Sequence, residues 1–135
     1  MGNETKTKDK LPKIPFQHAV STMRMVMGLI FITHGFARFY YASLTDFGGF
    51  LGNQGIPFGW LVAWGITIGE LVGGFFLLVR YRVKMAVMFH FLVILAGVFM
   101  VHLPNGWFVV GHGSGGMEYS VLILAVLGVL YACEG

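Results

Sequence analysis

Several ionisable residues occur within apolar segments of the sequence, and these segments are long enough to form membrane-spanning helices. His34 and Arg38 lie in the first run, Glu70 lies in the second and His90 lies in the third. A charged side chain near the centre of a bilayer costs roughly 2.5 to 3.5 kcal/mol, so such residues usually face protein, find a partner and mark a site. These side chains are therefore the first candidates for chemistry.

The spacing of His34 and Arg38 places both on one face of a helix. A rise of about 1.5 Å per residue puts them in the outer half of the span, where Glu70 or Glu118 can supply the opposite charge. Arg38 would stay charged while His34 exchanges protons with a carbonyl ligand and Glu70 relays them. We predict a pocket lined by His34, Arg38, Glu70 and Glu118, with His34 and Glu70 as catalytic residues. The same residues also suit a structural ion pair that holds the helices together.

The histidines are poorly placed for haem or for a metal ion. His34 and His90 lie on opposite sides of midspan, roughly 12 Å apart along the membrane normal, so they do not match as axial ligands. His102, His112 and Glu118 lack the short spacings of a zinc or copper site. Haem is therefore disfavoured, no metal site is predicted, and His90 is interpreted as a hydrogen-bonded core residue.

The composition indicates that helices crossing a membrane position these residues. Of 135 residues, 56% are hydrophobic and only 11% are charged, and the mean hydropathy is +0.75. The apolar runs are continuous rather than alternating, which favours helices over barrel strands. We predict an all-α membrane protein, a bundle of four transmembrane helices that cover residues 19–40, 58–79, 83–103 and 117–133.

Basic residues predict the orientation of this bundle. Four lysines precede the first span and three basic residues separate the second from the third, whereas the other two loops contain no Lys or Arg. Both termini should therefore lie in the cytoplasm. Residues 1–16 are expected to form a basic cytoplasmic tail and residues 17–135 the membrane domain, with the lipid bilayer rather than nucleic acid as the partner of the positive charge.

Glycines predict where helices approach each other. Gly65, Gly69 and Gly73 form a row on the second span, which suits close packing inside a small bundle, or a homo-oligomer contact as the alternative. The segment 42–57, with four glycines among apolar residues, is expected to fold onto the outer surface as an amphipathic cap. Segment 104–116 is expected to form a second, irregular lid.

Several short motifs in order and spacing give the chain a resemblance to the DoxX family of membrane proteins. They are Arg24, Gly28, Phe31, His34, Gly35 and Arg38 in the first span, Gly55, Ile56 and Pro57 before the second, Glu70 to Gly74 within it, and His102, Asn105, Gly106, Trp107, Gly116, Glu118, Tyr119 and Leu122 later. The resemblance implies a four-helix protein of the bacterial inner membrane that acts as an oxidoreductase component linked to quinones, to thiosulfate oxidation or to oxidative-stress complexes. Relatives often carry lysine where this chain has Arg38, and arginine does not release a proton in a normal cycle.

The leading hypothesis is a subunit of a quinone-linked redox system that receives electrons from a protein partner, with quinone as the cofactor. A non-catalytic assembly or scaffold subunit is the main alternative, because the glycine row suits assembly and no complete catalytic set is visible. A small proton or solute pathway is a third hypothesis, suggested by polar residues at successive depths.

Overall fold

The structure is a computed structural model that describes residues 13–134. Its helices are α1 (Phe16–Tyr40), α2 (Leu44–Asn53), α3 (Gly59–Val79), α4 (Val83–Gly97) and α5 (Glu118–Cys133). A π-helical turn, Val98–His102, and a 3-10 turn, Leu103–Asn105, continue α4 without a break. Within the described residues there is no β-strand. The predicted all-helical class is therefore confirmed.

Three helical segments are long and apolar enough to cross a membrane: Phe16–Tyr40, Gly59–Val79 and Val83–Asn105. The last helix, α5, is apolar but has only 16 residues. All four begin and end within three residues of the predicted spans. Residues 1–12, which make up most of the predicted basic tail, lie outside the described residues.

The four long helices form a closed ring in which each has its main contacts with two others. The most extensive contact joins α1 to α3, and further contacts join α3 to α4, α4 to α5 and α5 to α1. The apolar core of this ring includes Phe31, Leu77, Val87, Leu127 and Leu130, all almost completely buried. The amphipathic cap predicted for segment 42–57 is the short helix α2, which packs against α3.

The closest backbone contact between helices uses two glycines outside the predicted row. A Cβ atom on Gly74 of α3 would lie 2.8 Å from the carbonyl oxygen of Gly28 on α1. A Cβ atom on Gly28 would lie 2.7 Å from the carbonyl oxygen of Gly74. On the other side of α3, Gly69 and Gly73 leave space for Phe89 and His90 of α4. Gly65 has no neighbour within 4 Å of such a Cβ. Two of the three predicted glycines therefore serve packing within the chain, and the closest backbone contact is between α1 and α3.

Arg24 closes the contact between α1 and α3 at the end opposite the loop that carries α2. The side chain of Arg24 is charged, yet it is buried between the helices. Its Nη1 donates to the carbonyl oxygen of Leu77 and, at 3.2 Å, to that of Leu78. These carbonyls are in the last turn of α3, where helical N–H partners are missing and the helix dipole attracts a cation. Arg24 therefore caps α3 from a neighbouring helix.

Candidate functional site

A cavity of about 600 Å³ lies between α1, α3 and the continuation of α4, beneath α2. Its volume is within the range of ligand pockets, which are commonly about 300 to 1,000 Å³ and mostly apolar. Its walls are largely aliphatic and aromatic: Ile30, Phe31, Phe47, Phe50, Leu51, Ile56, Val62, Ile66, Phe89, Leu92, Val93, Ile94, Ala96, Gly97, Met100, Val101 and Ile123. The polar groups of the wall are His34, Arg38, Glu70, His102, Tyr119 and Ser120.

An ion pair between α1 and α3 forms part of the cavity wall. Arg38 Nη1 donates to Glu70 Oε2 at 2.5 Å, and Nη2 lies 3.5 Å from Oε1. The side chains are 18% and 5% exposed, so both charges are largely removed from solvent. Of the two countercharges that the sequence offered for Arg38, the structure uses Glu70.

Two further residues surround the guanidinium of Arg38. Thr67, one helical turn before Glu70, accepts a hydrogen bond from Arg38 Nη1 at 3.3 Å and donates to the carbonyl oxygen of Ala63 at 2.8 Å. The ring of Phe47, on α2, has its centroid 4.5 Å from the guanidinium carbon. A buried pair repays its desolvation only when additional partners satisfy its remaining polar groups. Thr67 and the cation–π contact supply such partners.

His34 and His102 contribute imidazoles to the same cavity from different helices. In both rings Nδ1 lies close to a backbone carbonyl oxygen, that of Ile30 at 2.9 Å for His34 and that of Gly115 at 2.8 Å for His102. A carbonyl oxygen only accepts, so Nδ1 carries the proton and donates in each case. When such a ring is neutral, its Nε2 has a lone pair that can accept a hydrogen bond from a ligand.

The π-helical turn brings His102 into the wall. A π turn accommodates more residues than an α turn and often occurs at functional sites, because it redirects the side chains that follow. Met100, Val101 and His102 of this turn all line the cavity. The contact from His102 to Gly115 also fixes the loop between the 3-10 turn and α5.

Glu118 does not line the cavity. Its Oε1 accepts a hydrogen bond from the backbone N–H of Val109 at 2.9 Å, and the N–H of Gly116 donates to the carbonyl oxygen of Phe108 at 3.0 Å. Together these bonds hold the irregular loop over the start of α5. The structure thus brings together His34, Arg38 and Glu70 of the four predicted pocket residues, and places Glu118 in the support of a loop.

His90 lies behind the cavity wall, with its ring completely buried. Its Nδ1 donates to the carbonyl oxygen of Ala86 at 2.7 Å, and its ring stacks on Phe31 with centroids 3.7 Å apart. Among the described residues its Nε2 has no hydrogen-bond partner. His90 fills the space left by Gly73, in agreement with its interpretation as a core histidine.

Thr67, Phe47 and His102 belong to the site but were not among the predicted pocket residues. Thr67 precedes Glu70 by three residues, so it lies on the same face of α3, and this spacing could have identified it. Phe47 reaches Arg38 only because α2 folds back onto α3. His102 depends on the π turn, for which the sequence has no distinct signal.

Taken together, the fold and the site define a small helical membrane protein with a ligand-sized apolar cavity and a buried ion pair in its wall. The family model DoxX matches residues 19–103, which is more than half of the chain and covers α1 from its fourth residue through the end of α4. The chain therefore belongs to the DoxX family. Comparisons with curated proteins and with solved structures give no match.

Proposed function

We propose that this protein is the quinone-binding membrane subunit of a redox system and that a protein partner supplies its electrons. In this proposal the chain crosses a bacterial inner membrane four times, with α5 as the short fourth span and both termini in the cytoplasm. The asymmetry of basic residues between the loops supports that orientation. The observation that carries the functional proposal is the cavity of about 600 Å³ with the Arg38–Glu70 pair in its wall.

The chemistry of a quinone suits such a wall. The ring is apolar and flat, and reduction to the quinol adds two electrons and two protons. His34 is the group that exchanges a proton with a ring oxygen, and Glu70 relays protons while Arg38 remains charged and holds the carboxylate in place. The many apolar side chains exclude water and contact the ring. The electrons come from the partner.

Gly97 provides a way to fill this cavity without disturbing the helices. It lines the cavity, and a Cβ atom there would have no neighbour within 4 Å. We expect Gly97→Leu to raise the Kd for a decyl-substituted benzoquinone at least about tenfold, because the added side chain occupies the ligand's volume. The measurement is quenching of tryptophan fluorescence by the quinone, with the purified protein in lipid nanodiscs.

Gly128→Leu is the matched control, since Gly128 is also open to a Cβ atom but does not line the cavity. This variant should bind like the wild type, which accounts for nonspecific partition of the quinone into lipid. Equal affinity in both variants, or no saturable quenching in the wild type, would count against a quinone site in this cavity.

A scaffold subunit is the second candidate, and the position of the ion pair favours it. Arg38 and Glu70 join α1 to α3, the two helices with the most extensive contact, so the pair has a structural role whether or not a ligand binds. In that case Gly97→Leu would leave the redox activity of the assembled complex unchanged. Loss of the complex would then follow only from variants that disrupt helix packing.

A further inference from the structure

The hydrogen-bonding capacity of the cavity wall distinguishes the two redox forms of a ring ligand. A quinone presents two carbonyl oxygens, which accept hydrogen bonds, and a quinol presents two hydroxyl groups, which also donate them. The form that binds more tightly is the one whose groups complement those that the wall leaves free. The hydroxyl groups of Tyr119 and Ser120 also line the wall, but a hydroxyl can donate or accept and therefore suits both forms. The groups that distinguish the two forms are the two imidazoles and the guanidinium.

Both imidazoles offer an acceptor rather than a donor. The Nδ1 proton of His34 is already donated to the Ile30 carbonyl oxygen, and that of His102 to the Gly115 carbonyl oxygen. Within residues 13–134, the Nε2 atom of neither ring is hydrogen-bonded. A ligand hydroxyl can donate to such a nitrogen, whereas a ligand carbonyl would face its lone pair.

The guanidinium, the strongest donor of the wall, already has partners. Arg38 donates through Nη1 to both Glu70 and Thr67, and its Nη2 lies near the second carboxylate oxygen. Phe47 covers its face. A ligand carbonyl would therefore have to compete with a buried carboxylate for the Nη1 protons, so that within the described residues only the second Nη2 proton and the Nε proton are left for it.

We infer that the cavity binds the reduced, hydroxyl-bearing quinol in preference to the quinone, with His34 Nε2 and His102 Nε2 as the acceptors for its two hydroxyl groups. This inference rests on the proposed function, since it concerns the same site. It adds His102 to the residues that contact the ligand. It also implies that the bound quinone–quinol couple is easier to reduce than the free couple, because the reduced form binds more tightly.

The test compares three ligands on the full chain in nanodiscs: decylbenzoquinone, the corresponding decylhydroquinone kept reduced without oxygen, and its 1,4-dimethyl ether. The ether has the same ring and tail but no hydroxyl proton. One added hydrogen bond contributes about 1 kcal/mol, or about fivefold in affinity. We expect the hydroquinone to bind about five- to twentyfold more tightly than the quinone or the ether.

Variants identify the acceptors. His34→Leu and His102→Leu should each lower the preference for the hydroquinone, measured as the ratio of the quinone Kd to the hydroquinone Kd, about fivefold. His112→Leu is the control, because His112 does not line the cavity. His102 also anchors a loop, so if His102→Leu fails to fold, the ligand comparison and His34→Leu still decide the outcome.

The outcomes separate the two proposals. Saturable binding of both redox forms with equal affinity, or a preference that is undiminished in His34→Leu, would overturn the preference for quinol and leave the quinone site standing. Binding of none of the three ligands would overturn both. A higher affinity for the ether than for the hydroquinone would show that hydroxyl donation plays no part.

Discussion

Replacing Arg38 with methionine should lower the free energy of unfolding by about 3 to 5 kcal/mol, because Glu70 would remain as a buried charge without its partner. Glu70 is only 5% exposed, and the Nη1 atom of Arg38 lies 2.5 Å from its carboxylate. Methionine retains most of the volume of the arginine stem, so the loss of charge dominates the effect. Equilibrium unfolding of the purified protein in detergent measures it.

The double variant Arg38→Met with Glu70→Leu distinguishes the cost of an unpaired buried charge from other effects of changing these side chains. Removing both charges leaves no unpaired group, so most of the lost stability should return. Arg80→Met is the control for arginine removal, because its pair with Glu134 is on the surface, with the Arg80 side chain 65% exposed, and should cost at most about 1 kcal/mol. A double variant as unstable as Arg38→Met alone would show that the pair is not the source of the effect.

Gly74→Ala should destabilise the protein by about 1 to 3 kcal/mol, since the added methyl group would force α1 and α3 apart. Its Cβ atom would lie 2.8 Å from both the Gly28 carbonyl oxygen and the Ile32 Cγ1 atom. A backbone carbonyl cannot rotate away as a flexible side chain can. Because this contact lies on the same two helices as the ion pair, ligand affinity should fall as well. The same unfolding experiment detects the loss of stability.

Gly65→Ala is the matched control, in the same helix but with no neighbour within 4 Å of the added atom. Both substitutions gain the same helix propensity, so the difference in unfolding free energy between them isolates the contact between helices. Equal stability of the two variants would contradict the close approach of α1 and α3. A large loss in Gly65→Ala alone would point instead to an interface with another chain.

The sequence predicts those parts of the fold that depend on local pattern. Continuous apolar runs determine the helices, because a backbone in lipid must satisfy its hydrogen bonds within each segment. The cost of a charge among apolar residues predicts a partner for Arg38, and Glu70 was one of the two predicted. The family resemblance, too, depends on short local motifs, and the match to the DoxX model confirms it.

Other parts depend on how helices meet, which one sequence does not reveal. Gly28 and Gly74 form the closest contact only because of the rotation of α1 against α3. The predicted depth of Glu118 in the membrane made it a candidate countercharge for Arg38. In the folded loop, however, its carboxylate accepts a hydrogen bond from the Val109 N–H. His102 was not among the predicted pocket residues, and α-helical counting does not anticipate the π turn that places it in the cavity wall.

Photolabelling with an azido-substituted benzoquinone tests most directly whether this cavity is a quinone site. We predict labelled peptides from the cavity-facing parts of α1, α2 and the end of α4 with its π turn, residues 30–38, 47–51 and 96–102. We also predict loss of the label when excess decylhydroquinone is present. Labelling confined to exposed apolar residues such as Leu61, Val72 and Phe75, with no competition by the hydroquinone, would contradict the proposal.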